Sequence, residues 1–390
     1  MKVLWVCGLP EAVRCKAVDR ILTDVVGAAW SWVLGHLPPP SDVELHVICP
    51  VLGLHMPQIS FEYMGVQWHC FRQKRFEIVF LWMRFWFKIR SFVKSLNPDV
   101  VHGWGGETGC GWLATWLSTR AIVSVQGLLK WFWHLSDVRD KKAKKSLRTR
   151  LSWFCEWGTY KRARVLLVES DASRHGLKTY YGQDGIYVPH PLREEFLKCD
   201  LCNRFSLTHK HPIRFVYVGN IDQRKGAMDA VRAFFDLGSQ ETQLIMIGDG
   251  GDRHMIESFV SRKQLEDRVK LCGIVSVHEI VQEFANAQFF LLPSYADTGP
   301  TALKEALACG LYPICYDNSG PQSLISHYGC GTLVETANIR QLSAAMDKCI
   351  ADVDECIKAA STAAMKVRQE LSRENVWSML RQVYTTEIGA

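Results

Sequence analysis

The second half of the chain alternates short apolar runs with segments of helical spacing, and this alternation most constrains the fold. A short apolar run bounded by turn residues suits a strand that is buried on both faces. Most runs precede apolar residues at helical spacing, as in Met228, Val231 and Phe234. The pattern predicts an α/β fold with a parallel sheet between two layers of helices. The predicted strands of this half cover 214–220, 243–250, 269–273, 289–294 and 312–317.

The first half repeats the alternation less regularly. Its predicted strands cover 3–7, 44–49, 99–102, 122–125 and 165–168. Its predicted helices cover 28–37, 76–96, 111–117 and 151–160. We therefore expect a second Rossmann-like domain in this half.

Length and a change of pattern divide the chain. At 390 residues it exceeds what one hydrophobic core usually contains. The alternation loosens over 188–211, a polar stretch that holds two prolines, so we place the domain junction there. The predicted domains are 1–200 and 201–365, followed by helices over 366–390 that cross back to the first domain. We expect the two domains to face each other across a cleft, with ligands at the carboxyl ends of the strands.

Composition limits the class of protein and its location. A net charge of +6 is too small for a dedicated nucleic-acid binder but suits phosphate-bearing partners. No stretch is long and apolar enough to cross a bilayer, and the first residues make a poor signal peptide. The 14 cysteines are scattered, which favours buried, reduced thiols in a cytoplasmic protein. Cys199 and Cys202 have no second pair at metal-ligand spacing, so we expect no metal site.

Loops that leave parallel strands and begin helices are candidate anion sites, because helix N-termini present unpaired N–H groups. In one such loop Gly219 ends a strand, and Arg224 and Lys225 precede a helix. Two cations at a helix start oppose its dipole, which favours a bound phosphate over a solvated basic turn. In a second loop, Gly248 and Gly250 permit close backbone approach, which suits either a phosphate or a plain turn.

A third loop places Asp297 before a Gly-Pro pair and Glu305 inside an apolar helical segment. A capped helix explains Pro300 at the first helical position but leaves both acids unexplained. The backbone N–H groups of Thr298 and Gly299 suit a phosphate, and carboxylates suit sugar hydroxyls. We therefore favour a ligand site over a capped helix with a surface glutamate.

These motifs resemble those of the retaining, sugar-nucleotide-dependent glycosyltransferases of family 4 (glycosyl transferases group 1), which have the two-domain glycosyltransferase-B (GT-B) fold. That family carries an acid, seven intervening residues, a glutamate and an apolar run, which Asp297, Glu305 and EALACGLYPIC match. Its glycine followed by an Arg-to-Lys loop is matched by 219–226. With the glycines at 248–250, the resemblance covers the C-terminal half of the chain.

The resemblance implies that the C-terminal domain binds a nucleotide sugar and the N-terminal domain binds the acceptor. It implies that Lys225, with Arg224, neutralises the donor diphosphate, that Glu305 binds the ribose, and that Asp297 holds the transferred sugar. The other residues implied in donor binding come from the three loops and the start of the following helix: Gly219, Asn220, Gly248, Gly250, Thr298, Gly299, Pro300, Thr301 and Ala302.

Two positions depart from the family pattern. Asn220 stands where the family often has an arginine directly after the glycine, so Arg224 is expected to supply the second cation. Asp297 stands where the family usually has a glutamate, one methylene longer.

The N-terminal half matches the family more loosely. His102 ends a predicted strand and precedes a Gly-rich loop with Glu107, which resembles an acceptor-side motif. The resemblance gives His102 a catalytic role, whereas a lone histidine is more often a packing residue. The glycine loop over 27–37 is similar to the family's first glycine loop and would put Gly27 near the leaving phosphate.

The implied function is transfer of a sugar, such as a hexose, from a nucleotide diphosphate donor such as a UDP-sugar to a hydroxyl of a glycan or lipid-linked acceptor. The resemblance implies retention of configuration, no cofactor and no metal, and a place in polysaccharide or glycoconjugate assembly. The sequence has no G-x-x-x-x-G-K loop, H-E-x-x-H motif or G-x-G-x-x-G after the first strand, which disfavours ATPase, metalloprotease and dinucleotide oxidoreductase functions. A nucleotide-sugar epimerase of the same fold stays open.

A non-catalytic, membrane-surface binding protein also stays open. The segment 75–96 mixes Phe and Trp with Arg and Lys, as interfacial helices do, but a helix between two strands normally packs on the sheet. The basic run over 140–150 suits a solvated face or an anionic lipid. Peripheral contact with the inner face of a membrane is therefore one expected partner interaction.

Overall fold

The computed structural model describes residues 1–10, 13, 30–131, 147–201 and 212–389. It divides into two compact units, Met1–Pro191 with Arg373–Ala390 and Leu192–Ser372. The second unit therefore covers residues 192–372, whereas the second domain predicted from the sequence covers 201–365. A backbone hydrogen bond from Leu192 N to Leu371 O (2.9 Å) joins the two ends of the second unit.

The first unit contains an eight-stranded sheet in the order β3-β4-β2-β1-β5-β6-β7-β8. Neighbouring strands are parallel except β3 and β4, which are antiparallel. The strands are β1 Lys2–Val6, β2 Glu44–Leu52, β3 Gln58–Tyr63, β4 Val66–Gln73, β5 Val100–Trp104, β6 Ile122–Val125, β7 Val165–Val168 and β8 Ile186–Tyr187. The sequence did not indicate β3, β4 or β8. The edge strand β3 buries none of its side chains fully, β4 mixes Gln67 and His69 with its apolar residues, and β8 has only two residues.

The described helices of the first unit that precede the second unit are α1 Met83–Leu96, α2 Cys110–Leu117, α3 Leu147–Arg162 and α4 Asp171–Tyr181. Short 3₁₀ helices cover Ser31–His36 and Glu77–Phe80.

Two helices expected in this unit differ from the structure. The helix expected over 76–96 is interrupted, because Leu81 and Trp82 adopt left-handed backbone conformations (φ 47° and 62°). This turn buries Trp82 against Gly109, where a Cβ would come within 2.2 Å of the indole ring. Over 28–37, the described part is a 3₁₀ helix and not an α-helix.

The second unit contains a fully parallel sheet in the order β11-β10-β9-β12-β13-β14. Its strands are β9 Ile213–Val218, β10 Thr242–Ile247, β11 Val269–Gly273, β12 Phe289–Leu292, β13 Tyr312–Tyr316 and β14 Thr332–Val334. Its described helices are α5 Glu194–Leu197, α6 Ala227–Leu237, α7 Arg253–Arg262, α8 Val277–Ala285, α9 Thr301–Ala308, α10 Ser319–Tyr328, α11 Ile339–Ala351 and α12 Val353–Glu370. The sequence located five of these strands and missed the short β14.

The last helix, α13 Arg373–Gly389, belongs to the first unit and packs on its central strand β1. Trp377 stacks on Trp5 with ring centroids 5.6 Å apart. Trp5 Nε1 donates a hydrogen bond to the Tyr384 hydroxyl (3.1 Å). These buried contacts attach the end of the chain to the core of the first unit.

The cysteines in the described ranges are free thiols, and nearly all are buried. Cys202 and Cys15 lie outside those ranges. None of the described helices has both the length and the apolar character needed to span a bilayer.

We expect Trp377→Ala to lower the free energy of unfolding by about 3–5 kcal/mol, because it leaves a cavity against Trp5. Ile388→Ala, at an exposed position of the same helix, is the control and should change stability by less than about 0.5 kcal/mol. Urea unfolding followed by tryptophan fluorescence measures both. Equal effects of the two substitutions would show that α13 does not contribute to the core.

Candidate functional site

The candidate donor site lies at the carboxyl ends of the central strands of the second unit. Strands β10, β9 and β12 are neighbours, and each is followed by one of the three loops singled out from the sequence. Parallel strands end at the same edge of a sheet, so the structure brings these three loops together.

The loop after β9 presents the two expected cations. The Tyr217 hydroxyl donates to Asn220 O (2.6 Å), and Lys225 N donates to Asp222 Oδ1 (2.8 Å). Asn220 and Arg224 are exposed, and Lys225 is partly buried. The loop therefore holds Arg224 and Lys225 immediately before the N-terminus of α6.

The loops after β9 and β12 are in direct backbone contact. Gly226 has a φ of +67°, and a Cβ there would lie 1.8 Å from Pro293 O. Tyr295 N donates to Arg224 O (2.8 Å). The Asp229 carboxylate accepts hydrogen bonds from the hydroxyls of Tyr295 (2.7 Å) and Tyr316 (2.9 Å). The position of residue 226 therefore requires glycine, and buried Asp229 of α6 ties Tyr295 in the loop after β12 and Tyr316 in β13 to this helix.

This contact pairs Lys225 with Asp297. The ammonium Nζ donates to Asp297 Oδ2, and the two side chains are only 19% and 12% exposed. Arg224 reaches the same loop through a long hydrogen bond from its guanidinium to Ala296 O (3.4 Å). The cation and the acid singled out from the sequence thus form an ion pair within the second unit.

The glycines of the loop after β10 pack against the loop after β9. A Cβ at Gly248 would lie 2.0 Å from Gly219 O, and one at Gly250 would lie 2.3 Å from Ile221 O. Ile221 N also donates to Asp249 O (3.0 Å). Packing between the loops is therefore sufficient to explain both glycines, and their role in donor binding stays a prediction.

Helix α9 begins directly after the loop that carries Asp297. Thr298, Gly299 and Pro300 are buried, and Pro300 O accepts from the N–H groups of Leu303 and Lys304. The first N–H groups of a helix have no acceptor inside the helix and carry a partial positive charge. The loop also packs on Gly320, where a Cβ would lie 2.4 Å from Asp297 O. The helix start is thus fixed beside Asp297.

Glu305 is buried and paired with a residue that the sequence did not single out. Arg193 Nη2 donates to Glu305 Oε1 (3.1 Å), with side chains 15% and 10% exposed. The Arg193 guanidinium also lies over the Phe196 ring, 5.0 Å from its centroid. Burial raises the pKa of Glu305 above its ordinary value, and the charge and hydrogen bond of Arg193 oppose that rise. The structure excludes the surface position that was the simpler alternative for Glu305.

Two further polar groups at this edge of the sheet were missed. Ser294 Oγ and Asn318 Oδ1 are buried and have no hydrogen-bond partner within the described ranges. Asn318 Nδ2 donates to Ser294 O (2.5 Å), which links the ends of β12 and β13. A sequence offers no signal for such groups, because serine and asparagine are common in loops.

His102 lies in the core of the first unit and is fully buried. Its Nδ1 is hydrogen-bonded to the Tyr384 hydroxyl (2.7 Å) and its Nε2 to Ser124 Oγ (2.9 Å). Burial, with a smaller effect of His36, lowers the pKa of His102 well below its ordinary value, so the ring is neutral. These contacts are those of a packing histidine, and the catalytic role that the resemblance implies for His102 stays a prediction. Gly27 and the basic residues 140–146 lie outside the described ranges.

The sequence matches two families of glycosyltransferases. Residues 203–366 match the family described as glycosyl transferases group 1, and residues 39–191 match Glycosyltransferase Family 4. The two matches together cover most of the chain. The protein therefore belongs to the group 1, family 4 glycosyltransferases, as the motifs indicated.

Curated relatives match part of the chain. The amylovoran biosynthesis glycosyltransferase AmsK of Erwinia amylovora is 27% identical over 180 residues, which cover 44% of each chain. The putative colanic acid biosynthesis glycosyltransferase WcaL of Salmonella typhimurium is 26% identical over 184 residues, which cover 45% of each chain. The matched region spans less than half the length of these relatives.

Solved structures match almost the whole chain. Sucrose-phosphate synthase from Thermosynechococcus elongatus has a TM-score of 0.77 at 16% identity, covering 99% of this chain and 98% of its own. Anabaena HepE in complex with UDP has a TM-score of 0.70 at 15% identity, covering 99% and 100%. WaaG, a glycosyltransferase involved in lipopolysaccharide biosynthesis, has a TM-score of 0.70 at 13% identity, covering all of both chains. These likenesses confirm the GT-B fold expected from the sequence.

We expect Arg193→Met to destabilise the protein by about 3–5 kcal/mol at neutral pH, because it leaves the Glu305 carboxylate buried without its cation. Without Arg193, the pKa of Glu305 in the folded protein should rise further above its ordinary value of 4.5. The loss of stability should therefore grow as the pH rises from about 4.5 through the raised pKa. Urea unfolding over a pH series measures this.

The double variant Arg193→Met/Glu305→Gln is the matched control. It removes both charges, and we expect it to be more stable than Arg193→Met at pH 7 and insensitive to pH at this site. If the single and double variants unfold alike at every pH, the Arg193–Glu305 pair has no electrostatic role.

Proposed function

We propose that the protein transfers a sugar from a nucleoside diphosphate donor to a hydroxyl of a glycan or lipid-linked acceptor, with retention of configuration. The observation that carries the proposal is the pairing of Lys225 with Asp297 beside the start of α9. A cation, an acid and helix N–H groups therefore lie within one small region of the second unit, and this combination suits a sugar diphosphate.

Positive charge at this place suits the departing diphosphate. When the bond between the sugar C1 and the diphosphate oxygen breaks, negative charge develops on that oxygen. Lys225, Arg224 and the first N–H groups of α9 are the positive groups that we assign to this charge. Because they are held by packed loops, they need little rearrangement when the charge develops.

The two acids have different proposed ligands. Asp297 is assigned to hydroxyls of the transferred sugar, and it must then share or release Lys225 when the diphosphate arrives. Glu305 is assigned to the ribose hydroxyls through Oε2, since Oε1 accepts from Arg193. Arg193 is a positioning residue in this scheme, because it orients Glu305 and favours its charged form.

The comparisons support a particular choice of donor and pathway. HepE has been crystallised with UDP and with UDP-glucose, so UDP-hexoses are the first donors to test. AmsK and WcaL take their names from amylovoran and colanic acid biosynthesis, which supports a role in polysaccharide assembly. We propose that the reaction needs no metal or other cofactor, and a cytoplasmic location stays a prediction.

We expect Lys225→Ala to lower the rate of transfer about a hundredfold, because one charged donor to the leaving group is lost. Lys358→Ala, at an exposed position of α12, should leave the rate unchanged. The measurement is UDP release from UDP-glucose and other UDP-hexoses, with thermal unfolding as the check on folding. Wild-type turnover by a folded Lys225→Ala protein would contradict the proposal.

Asp297→Asn should change binding and transfer in opposite directions. Removing the acid leaves the Lys225 charge uncompensated, so we expect UDP to bind more tightly than to the wild type. Transfer should fall, because a contact to the sugar is lost. Titration calorimetry with UDP and the transfer assay separate the two effects, and weaker UDP binding would contradict the assignment of Lys225 to the diphosphate.

Incubation with donor alone separates a transferase from an epimerase. An epimerase interconverts the donor sugar without an acceptor, whereas a transferase leaves its configuration unchanged. We expect no epimerised nucleotide sugar with any UDP-hexose. Its appearance would replace the proposed function by that of an epimerase.

A further inference from the structure

An exposed aromatic and basic surface on the first unit lies outside the candidate donor site. Large apolar side chains are normally buried, so several exposed together usually mark an interaction site. In this surface Phe76, Phe80 and Phe87 are 69%, 40% and 54% exposed. We define the aromatic–basic surface by these rings, by Val79 and by the cations around them: Arg72, Lys74, Arg75, Arg84, Lys88 and Arg90.

One face of helix α1 is buried in the core, and the opposite face is exposed. Phe85, Ile89 and Val93 recur at a spacing of four residues and are buried. The opposite face exposes Phe87 together with Arg84, Lys88, Arg90 and Lys94. A helix between two strands normally packs its apolar residues on the sheet. In α1 they do not all do so, because Phe87 is exposed among cations.

Cations lie directly over the exposed rings. The Arg84 guanidinium is 3.3 Å from the centroid of Phe80, and that of Arg90 is 4.8 Å from the centroid of Phe87. Such cation–π pairs hold an aromatic ring and a positive charge side by side at the protein surface. This arrangement suits a boundary between an apolar phase and anionic headgroups.

A basic groove of about 450 Å³ adjoins these rings. Arg72, Lys74, Arg84 and Lys88 line it, and the acid among its lining residues, Glu77, is only 4% exposed. Burial, Arg72 and Lys74 lower the pKa of Lys88, while Glu77 raises it. The groove is therefore a region of positive potential to which an anion is attracted.

The surface continues onto the neighbouring helices. Trp116 of α2 is 37% exposed, and its ring lies 6.5 Å from that of Trp86 and 4.2 Å from the Arg162 guanidinium. Phe154 and Trp157 of α3 are also exposed. Three helices of the first unit thus contribute exposed aromatic side chains, and those of α1 and α2 lie beside arginines.

We propose that the aromatic–basic surface docks the first unit on an anionic lipid bilayer, with headgroup phosphates in the basic groove and the rings of Phe76, Phe80 and Phe87 at the headgroup boundary. Charge complementarity selects this partner. A second copy of the chain would place cations against the same cations in a symmetric dimer, which costs free energy. Docking goes beyond the proposed function, because transfer to a water-soluble acceptor does not require it.

Flotation of the full chain with vesicles tests the proposal. We expect binding to phosphatidylcholine vesicles that contain phosphatidylglycerol, little binding to pure phosphatidylcholine, and weaker binding as salt rises. Each cation near an anionic surface strengthens binding roughly fivefold. The charge variant Lys74→Glu/Arg84→Glu/Arg90→Glu should therefore bind at least about a hundredfold more weakly. The aromatic variant Phe76→Ser/Phe80→Ser/Phe87→Ser should lose about tenfold or more.

Matched controls carry the same changes elsewhere on exposed positions. Met255→Ser/Ile274→Ser/Met365→Ser removes three exposed apolar side chains, and Lys348→Glu/Lys358→Glu/Lys366→Glu reverses three exposed cations. Both should bind vesicles nearly as the wild type does. UDP affinity should be unchanged in the aromatic and charge variants, which separates a failure of docking from a failure of the proposed function.

Three results would overturn the proposal. The first is no vesicle binding by the wild type, or equal binding to neutral and anionic vesicles. The second is an equal loss of binding in the control variants. The third is concentration-dependent self-association that the aromatic variant abolishes without any vesicle binding, which would make a second copy of the chain the partner.

Discussion

The backbone contact between two loops of the second unit determines the rest of the candidate site. Gly226 lies against Pro293 O, where no larger residue fits, and Tyr295 N bonds Arg224 O. This contact brings Lys225 and Asp297 together although they are 72 positions apart in the sequence. The side chains of the site are therefore positioned by close packing of backbone, which also explains why the loops are rich in glycine.

The site balances its own charges. Asp297 neutralises Lys225, and Arg193 neutralises the buried Glu305, so neither carboxylate of the family motif stands alone in the interior. A buried charge is tolerated only when it is paired. In the proposed function, a diphosphate would displace Asp297 from Lys225, whereas the ribose would meet a carboxylate already oriented by Arg193. The proposal therefore gives the two acids of one motif different tasks.

Much of the second unit was predictable and much of the site was not. Strands such as Ile213–Val218 and Thr242–Ile247 are short apolar runs with few alternatives, and the motif from Asp297 to Glu305 identified the family. Contacts between distant residues leave no trace in one sequence, which is why the Arg193–Glu305 pair was missed. For His102 a motif suggested chemistry, whereas its burial and its two hydrogen bonds, which local sequence does not reveal, are those of a packing residue. The break at Trp82 depends on the glycine at 109, which local spacing does not reveal.

A crystal structure of the protein with UDP tests the central claim most directly. We expect a phosphate oxygen within hydrogen-bond distance of Lys225 Nζ and of an N–H group at the start of Thr301–Ala308, and the ribose hydroxyls on Glu305, with Arg193 still paired to it. UDP bound elsewhere, with Lys225 still held only by Asp297 and Glu305 touching no part of the nucleotide, would contradict the claim.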